Sequence, residues 1–281
     1  MTQPTAQRPV PGRVKALVSF GADDAPQVIP MVLQARWFVG DEGNQITVVG
    51  PVTFEEAGMA HIEDTILPIV REMCRLLGIP GGSFLLCVAN PGAASQLDVG
   101  VKIEGFSADI AVFLALLSAA TAIPVPPTIA CTGHVASLDG TVHMVRHLAE
   151  KIAAAARAPD ISALFYPSIT EDPSLETFAD RELDRVRCAL LDSDDLLHAI
   201  AVGNVHELVR KAFRSAAVLR GGLLQGFYSS DQQNETDPSP FSELTAYLRR
   251  GGGQPFEDEL GRCLMAGDRG AVSGLLDLYA D

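Results

Sequence analysis

Apolar residues recur at helical spacing from His61 to Leu77, where Ile62, Ile66, Ile69, Val70, Met73, Leu76 and Leu77 fall on one face. The spacing predicts an amphipathic helix, which Gly78 and Pro80 end. Runs rich in β-branched and aromatic residues predict strands at Val14–Phe20, Gln34–Gly40 and Gln45–Val49, and Gly40-Asp41-Glu42-Gly43 between the last two predicts a hairpin turn. Further strands are predicted at Phe84–Ala89, Asp98–Ile103 and 128–136. Between the last two lies a stretch of a different kind, Gly105-Phe106-Ser107-Ala108-Asp109-Ile110 followed by Ala111-Val112-Phe113-Leu114-Ala115-Leu116-Leu117. It reads as a helix that is apolar all round, which needs burial on every side. The elements together predict an α/β fold with mixed strands and buried helices, plus a small helical C-terminal tail.

From Ile110 to Gly133 there is no charged residue, a span long enough to cross a bilayer. Pro124, Pro126 and Pro127 divide it, and the part before them is too short to span. The reading is a buried helix, a Pro-rich turn and a strand, with no membrane partner. Residues 1–12 are rich in Pro, Gln and Thr and are expected to fray. Residues 216–240 read as a linker, since Ser229-Ser230-Asp231-Gln232-Gln233-Asn234-Glu235-Thr236-Asp237-Pro238 has nothing to bury. Residues 241–281 read as a small helical region; from Phe256 on they suggest two short helices around Gly267 to Gly270, a little like one ankyrin-type pair. One such unit cannot bury its own face, so docking on the main domain or on a partner is expected.

Composition narrows the function classes. The formal net charge of −14 opposes unspecific binding to phosphate backbones or anionic lipid, so nucleic acid is not an expected partner. Cys74, Cys87, Cys131, Cys188 and Cys263 are scattered, without a Cys-x-x-Cys pair or a signal peptide ahead of them. They read as reduced thiols of a cytoplasmic protein. A phosphate-cradling P-loop needs a Gly-Lys pair, and the four lysines follow Val14, Val101, Glu150 and Arg210 instead. The sequence therefore carries no P-loop ATPase and no cofactor signature.

The chemistry concentrates on Ser107 and Lys151. A serine at a helix N-terminus stands where orphan N–H groups face a developing oxyanion. Lys151 lies in His147-Leu148-Ala149-Glu150-Lys151-Ile152-Ala153-Ala154-Ala155, beside apolar neighbours. Burial there would disfavour its charged form and leave a neutral amine able to take a proton from serine. Each residue also has a plain reading, Ser107 as an N-cap and Lys151 as a solvated helix charge. Strand alternation places Thr132 and His134 on one side, so a Ser107–His134 pair supported by Asp109 is a competing arrangement. His143 and His147 stand four apart, a metal-ligand spacing if both begin one helix. No glutamate lies in the usual place between them and no third ligand is evident, so no metal is predicted.

The residues between Ser107 and Lys151 resemble the proteolytic domain of Lon-type ATP-dependent proteases. In that family a Pro-Ser-Ala-Gly turn opens a buried helix, followed by an Ile-Pro-Val-like turn, a Met-Thr-Gly-Glu strand and a Gly-Gly-Leu-Lys-Glu-Lys helix. The corresponding stretches here are Phe106-Ser107-Ala108-Asp109, Ile123-Pro124-Val125, Cys131-Thr132-Gly133-His134 and Arg146-His147-Leu148-Ala149-Glu150-Lys151, with about one extra residue near Asp139. Ile69 to Pro80 resembles the helix before the family's strand, and Ile161 to Pro167 the strand after its lysine helix. The resemblance covers residues 13–215 and implies a two-layer Lon-like domain there.

It also implies a serine endopeptidase with Ser107 as nucleophile, Lys151 as general base, Thr132 orienting the lysine amine, and Glu104 at an acidic position of the family. Implied partners are a protein or peptide substrate, copies of the chain in a homo-oligomer such as a hexamer, and a separate AAA+ unfoldase or other activator. Phe106, Asp109 and Arg146-His147 depart from the family's Pro, Gly and Gly-Gly. Asp109 beside Lys151 would hold the amine protonated, which leaves an alternative open: an inactive scaffold or a regulatory subunit of a larger assembly.

Overall fold

The computed structural model describes residues 10–21, 26–40, 45–89, 101–169, 178, 180–193, 195–213, 239–242 and 244–245. Strand β1 (Arg13–Phe20) sits near the middle of a seven-stranded mixed sheet and is covered on both faces. Val14, Ala16 and Val18 point into one apolar layer, while Leu17 points into the other. Strand β2 (Gln27–Val39) pairs antiparallel with β1, from Arg13 opposite Gln34 to Phe20 opposite Gln27.

After β3 (Ile46–Val49) and β4 (Val52–Phe54), the chain enters α1 (Glu56–His61), a π-helical turn at Ile62–Ile66, and α2 (Leu67–Leu77). The helical segment thus begins before His61, and its first turns carry little of the apolar periodicity on which the expectation rested. Gly78 ends α2 in the left-handed region, φ 74°, which glycine adopts without a Cβ clash. Strand β5 (Gly82–Ala89) then enters the sheet between β2 and β3, antiparallel to the first and parallel to the second. The hairpin expected at Gly40–Gly43 is therefore incorrect: β2 and β3 are not partners, and β2 pairs antiparallel with β1 and β5 instead. Pairing over this distance has no local signal, whereas turn residues do. Residues 41–44 lie outside the described set, as do 98–100 of the expected strand whose described part is β6 (Val101–Ile103).

Helix α3 (Asp109–Thr121) is buried along almost its whole length, as its all-round apolarity requires. It ends at Ala122, φ 55°, where Ser118 Oγ fastens the turn by donating to the Ile123 carbonyl while accepting from the Gly12 N–H at 2.8 Å. Among the described residues no helix is long and apolar enough to cross a membrane. The strand expected at 128–136 is two strands, β7 (Ile129–Cys131) and β8 (His134–Val135), separated by Thr132 and Gly133. The break overturns the alternation that put Thr132 and His134 on one side, since Thr132 is fully buried and His134 is partly exposed. Strand β9 (Val142–His143) pairs with β8.

Helix α4 (Leu148–Arg157), β10 (Ala163–Pro167), α5 (Asp180–Ser193), β11 (His198–Val202) and α6 (Val205–Ala212) complete the main body. The sheet order is β11-β10-β7-β1-β2-β5-β3, with β1, β7, β10 and β11 parallel. Helices cover both faces. Cys131 and Phe165 join the layer with α2 and α3, while Ala130 and Leu164 join Leu148 and Ile152 of α4 in the other. The result is the expected mixed α/β fold. Phe241 and Leu244 pack into the α3 layer, and Phe241 stacks on His206 at 5.3 Å, so the first described residues of the expected tail dock on the main body. The rest of the linker and tail, and residues 1–9, lie outside the described residues.

Gly133 joins α3 to the end of β7. Its φ of 153° disfavours other residues, and a Cβ would meet Pro167 Cγ at 3.1 Å and Ile110 Cδ1 and Val142 Cγ1 at 3.3 Å. Gly133→Ala is expected to lower stability by about 1–3 kcal/mol, read as a lower urea midpoint at unchanged slope.

Candidate active site

The turn carrying Ser107 is fastened on both sides of its hydroxyl. The Phe106 carbonyl accepts from the Asp109 N–H at 3.2 Å, and the Ser107 carbonyl accepts from the Gly133 N–H at 3.1 Å. Ile110 N–H donates back to the Gly133 carbonyl at 3.3 Å. Thr132 Oγ1, with no exposed surface, lies 3.2 Å from the Ser107 carbonyl and 3.4 Å from that of Leu17. The N-cap of α3 is Ala108, with no side-chain capping bond, so the capping reading of Ser107 does not hold. Among the described residues the backbone N–H groups of Ser107 and Ala108 have no acceptor. Lying at the positive end of α3, they are suited to a developing negative oxygen.

Ser107 and Lys151 line one cavity of about 470 Å³. Ser107 is 8% exposed and Lys151 1%, which excludes the solvated-charge reading of the lysine. Lys151 is one turn into α4, and its N–H donates to the His147 carbonyl at 3.0 Å. His147 holds φ 57°, a left-handed conformation that favours glycine and that here stands where the Lon-type pattern has Gly-Gly. Burial lowers the Lys151 pKa from 10.5 to about 7, against a smaller opposing effect of Glu150. Glu150 itself is paired with Arg185 of α5. Among the described residues neither Ser107 Oγ nor Lys151 Nζ has a hydrogen-bond or ion-pair partner. A buried amine without a carboxylate has strong reason to shed its proton, and a serine in the same cavity offers it chemistry.

Asp109 does not pair with Lys151. Its Oδ2 lies 3.1 Å from His61 Nε2, accepts from the Val135 N–H at 3.3 Å and is 3.9 Å from His134 Nε2. Burial raises its carboxyl pKa to about 7, while the hydrogen bond to Asp109 raises that of His61. Each partner's pKa is thus raised, by a different cause. Phe106 closes over this group, its ring 4.8 Å from that of His61 and 4.6 Å from that of His134.

His134 and Glu104 also line the cavity, Glu104 from an exposed position. His143 and His147 do not share a helix: the first belongs to β9 and the second caps α4. The four-residue spacing was therefore not a helical one. His61 was not singled out in the sequence, and no local signal could have done so, because a histidine at the end of a helix gains meaning only from what folds against it. The described cysteines are free thiols, and burial pushes the Cys74 thiol up to about 12.

Residues 98–202, just over a third of the chain, match the family of the Lon protease (S16) C-terminal proteolytic domain. The matched segment contains Ser107, Asp109, Thr132, His134 and Lys151, so this part of the chain is similar to a Lon proteolytic domain. No match was found among curated proteins.

The buried amine has a signature in stability. Between the folded value of about 7 and the ordinary 10.5, the unfolded chain holds more protons at Lys151 than the folded one, so this group makes stability rise with pH across that window. Lys151→Met is expected to stabilise the fold by about 2 kcal/mol or more below pH 7. The gain should shrink as pH rises toward 10.5, as urea unfolding at several pH values would record.

Proposed function

We propose that this protein is a Lon-like serine endopeptidase in which Ser107 is the nucleophile and Lys151 the general base, acting without an ATPase of its own. The observation that carries the reading is the unpartnered, buried Lys151 in the same cavity as Ser107. Serine is a weak nucleophile at neutral pH and needs a base, and a lysine serves only when its amine is neutral. In the first step Ser107 Oγ attacks the peptide carbonyl while Lys151 Nζ takes its proton. The N–H groups of Ser107 and Ala108 receive the carbonyl oxygen as it gains charge. The lysine then returns the proton to the leaving amine, and the acyl-enzyme forms. Water, deprotonated by the neutral lysine, hydrolyses it and frees Ser107.

Thr132 serves this turn by holding the Ser107 carbonyl, and its oxygen can also accept from the lysine amine. Glu104 and Arg146 stand at the cavity as charged contacts for substrate. Asp109, engaged by His61 and by the Val135 N–H, leaves Lys151 free of a carboxylate that would keep it protonated. The proposal extends to a homo-oligomer, hexameric in the Lon manner, supplied with substrate by a separate AAA+ unfoldase or other activator. The competing reading is a Lon-fold scaffold or regulatory subunit without activity, favoured by the aromatic Phe106 next to the nucleophile.

The purified chain is expected to cleave an unfolded protein such as casein without ATP, and Ser107→Ala and Lys151→Met each to lower kcat by about 10³-fold or more. Retention of activity in Lys151→Met with loss in Ser107→Ala would assign the base to His134. Absence of cleavage by the unmodified chain, with and without candidate activators, would favour the scaffold. A pH profile provides a second check: kcat/KM should rise with pH through about 7 as Lys151 loses its proton, and then level off.

A further inference from the structure

We propose that His61, Asp109 and His134 form a binding site for one divalent transition-metal ion of the zinc class, set directly behind the nucleophile turn. Their three ligand atoms lie within 4.8 Å of one another. They come from three separate elements: the end of α1, the start of α3 and β8. Both imidazoles present Nε2 to the same carboxylate oxygen, at 3.1 Å and 3.9 Å. An ion with bonds of roughly 2.0–2.2 Å to nitrogen and carboxylate oxygen brings its ligand atoms to about 3.0–3.5 Å from each other. His61 and Asp109 already meet that separation. The two imidazole nitrogens account for the longest separation, so His134 needs an inward shift of about 1.3 Å, which its partly exposed ring on a two-residue strand can make.

The donor set chooses the class of ion. Two imidazoles and one carboxylate suit Zn²⁺, Co²⁺ or Fe²⁺, whereas Ca²⁺ and Mg²⁺ prefer oxygen ligands throughout. The carboxylate is also held from behind, as metal ligands generally are: Asp109 Oδ2 receives the Val135 N–H at 3.3 Å. The Val135 carbonyl, 2.9 Å from His61 Nε2, accepts from that nitrogen without the ion and would stand beside the ion as a further oxygen once the proton has left. Loading replaces the proton on His61 Nε2 by the ion, and the proton goes to solvent. His134 opens on the cavity that contains Ser107, which gives the ion a route in. Phe106 stacks on His134 and touches His61, so occupancy would fix the residue immediately before Ser107. The site therefore offers the cavity a metal-dependent clamp, in addition to the Ser107–Lys151 chemistry and not as part of it.

The experiment is a Zn²⁺ titration of the full chain after chelator treatment, against a chromophoric competitor, with Co²⁺ absorption as a second readout. One ion per chain is expected, with a Co²⁺ visible spectrum indicating nitrogen and oxygen ligands. His134→Asn and Asp109→Asn should each weaken binding at least about tenfold, while Cys188→Ser, at an exposed thiol, leaves it unchanged. His134→Asn carries the test if Asp109→Asn does not fold. Failure to bind one ion, binding unchanged in His134→Asn, or equal displacement by Mg²⁺ as for a diffuse acidic surface would overturn the proposal. Because the readout is the ion and not cleavage, failure here and failure of the peptidase reading remain separately visible.

Discussion

The amino end of α3 is fastened to the end of β7 by a reciprocal pair of backbone hydrogen bonds, and the whole cavity depends on that fastening. Gly133 N–H holds the Ser107 carbonyl, and Ile110 N–H holds the Gly133 carbonyl. The pair works because α3 cannot move: its side chains are enclosed on every side, and shifting it would open voids throughout the layer it shares with α2 and the sheet. A rigid apolar helix thus becomes a fixed mount for one hydroxyl at the cavity wall. Gly133 is required at the junction for a geometric reason, since three side chains occupy the space that a Cβ would take.

The same packing produces the electrostatics. Lys151 lies on a helix whose other buried residues, Leu148, Ile152 and Ala155, press against β1, β7 and β10. Its amine is carried into the cavity by the placement of α4, not by an ionic partner among the described residues, and the desolvation is what favours the neutral form. Three nearby acids that could have countered this are otherwise placed. Glu150 pairs with Arg185, Asp109 with His61, and Glu104 is exposed. The cavity therefore combines a polar turn with a buried amine whose neutral form is favoured.

The departures from the Lon-type pattern form one coherent local solution. Asp109 occupies a position where the pattern has glycine, and its charge is taken up by His61 and His134 instead of disturbing Lys151. Phe106, where the pattern has proline, stacks on His134 and lies tilted against His61. His147, where the pattern has glycine, accepts the left-handed backbone that starts α4 and places its ring nitrogen 3.3 Å from Ser19 Oγ. Each substitution is answered by a neighbour from a distant part of the chain, which is why none of them can be judged from its own segment.

Much of the fold was legible in the sequence because burial leaves a periodic trace. The all-round apolar run from Ile110 to Leu117 required an enclosed helix, Gly78 marked the end of α2, and the resemblance of the stretch from Phe106 to Lys151 to the Lon-type pattern suggested a peptidase. Local pattern misjudged what local pattern does not encode. The turn residues at 40–43 suggested a hairpin, but β5 enters between β2 and β3 from more than thirty residues away. The run at 128–136 read as one strand, because the bend at Gly133 answers to Pro167, Ile110 and Val142. The sequence by itself determined which residues had to be inside and which types of chemistry were present. Only the tertiary structure decided that Lys151 has no counter-ion among the described residues, that Asp109 turns to His61, and that His61 and His134 converge, since charge pairing and desolvation depend on distances between segments that no spacing along the chain records.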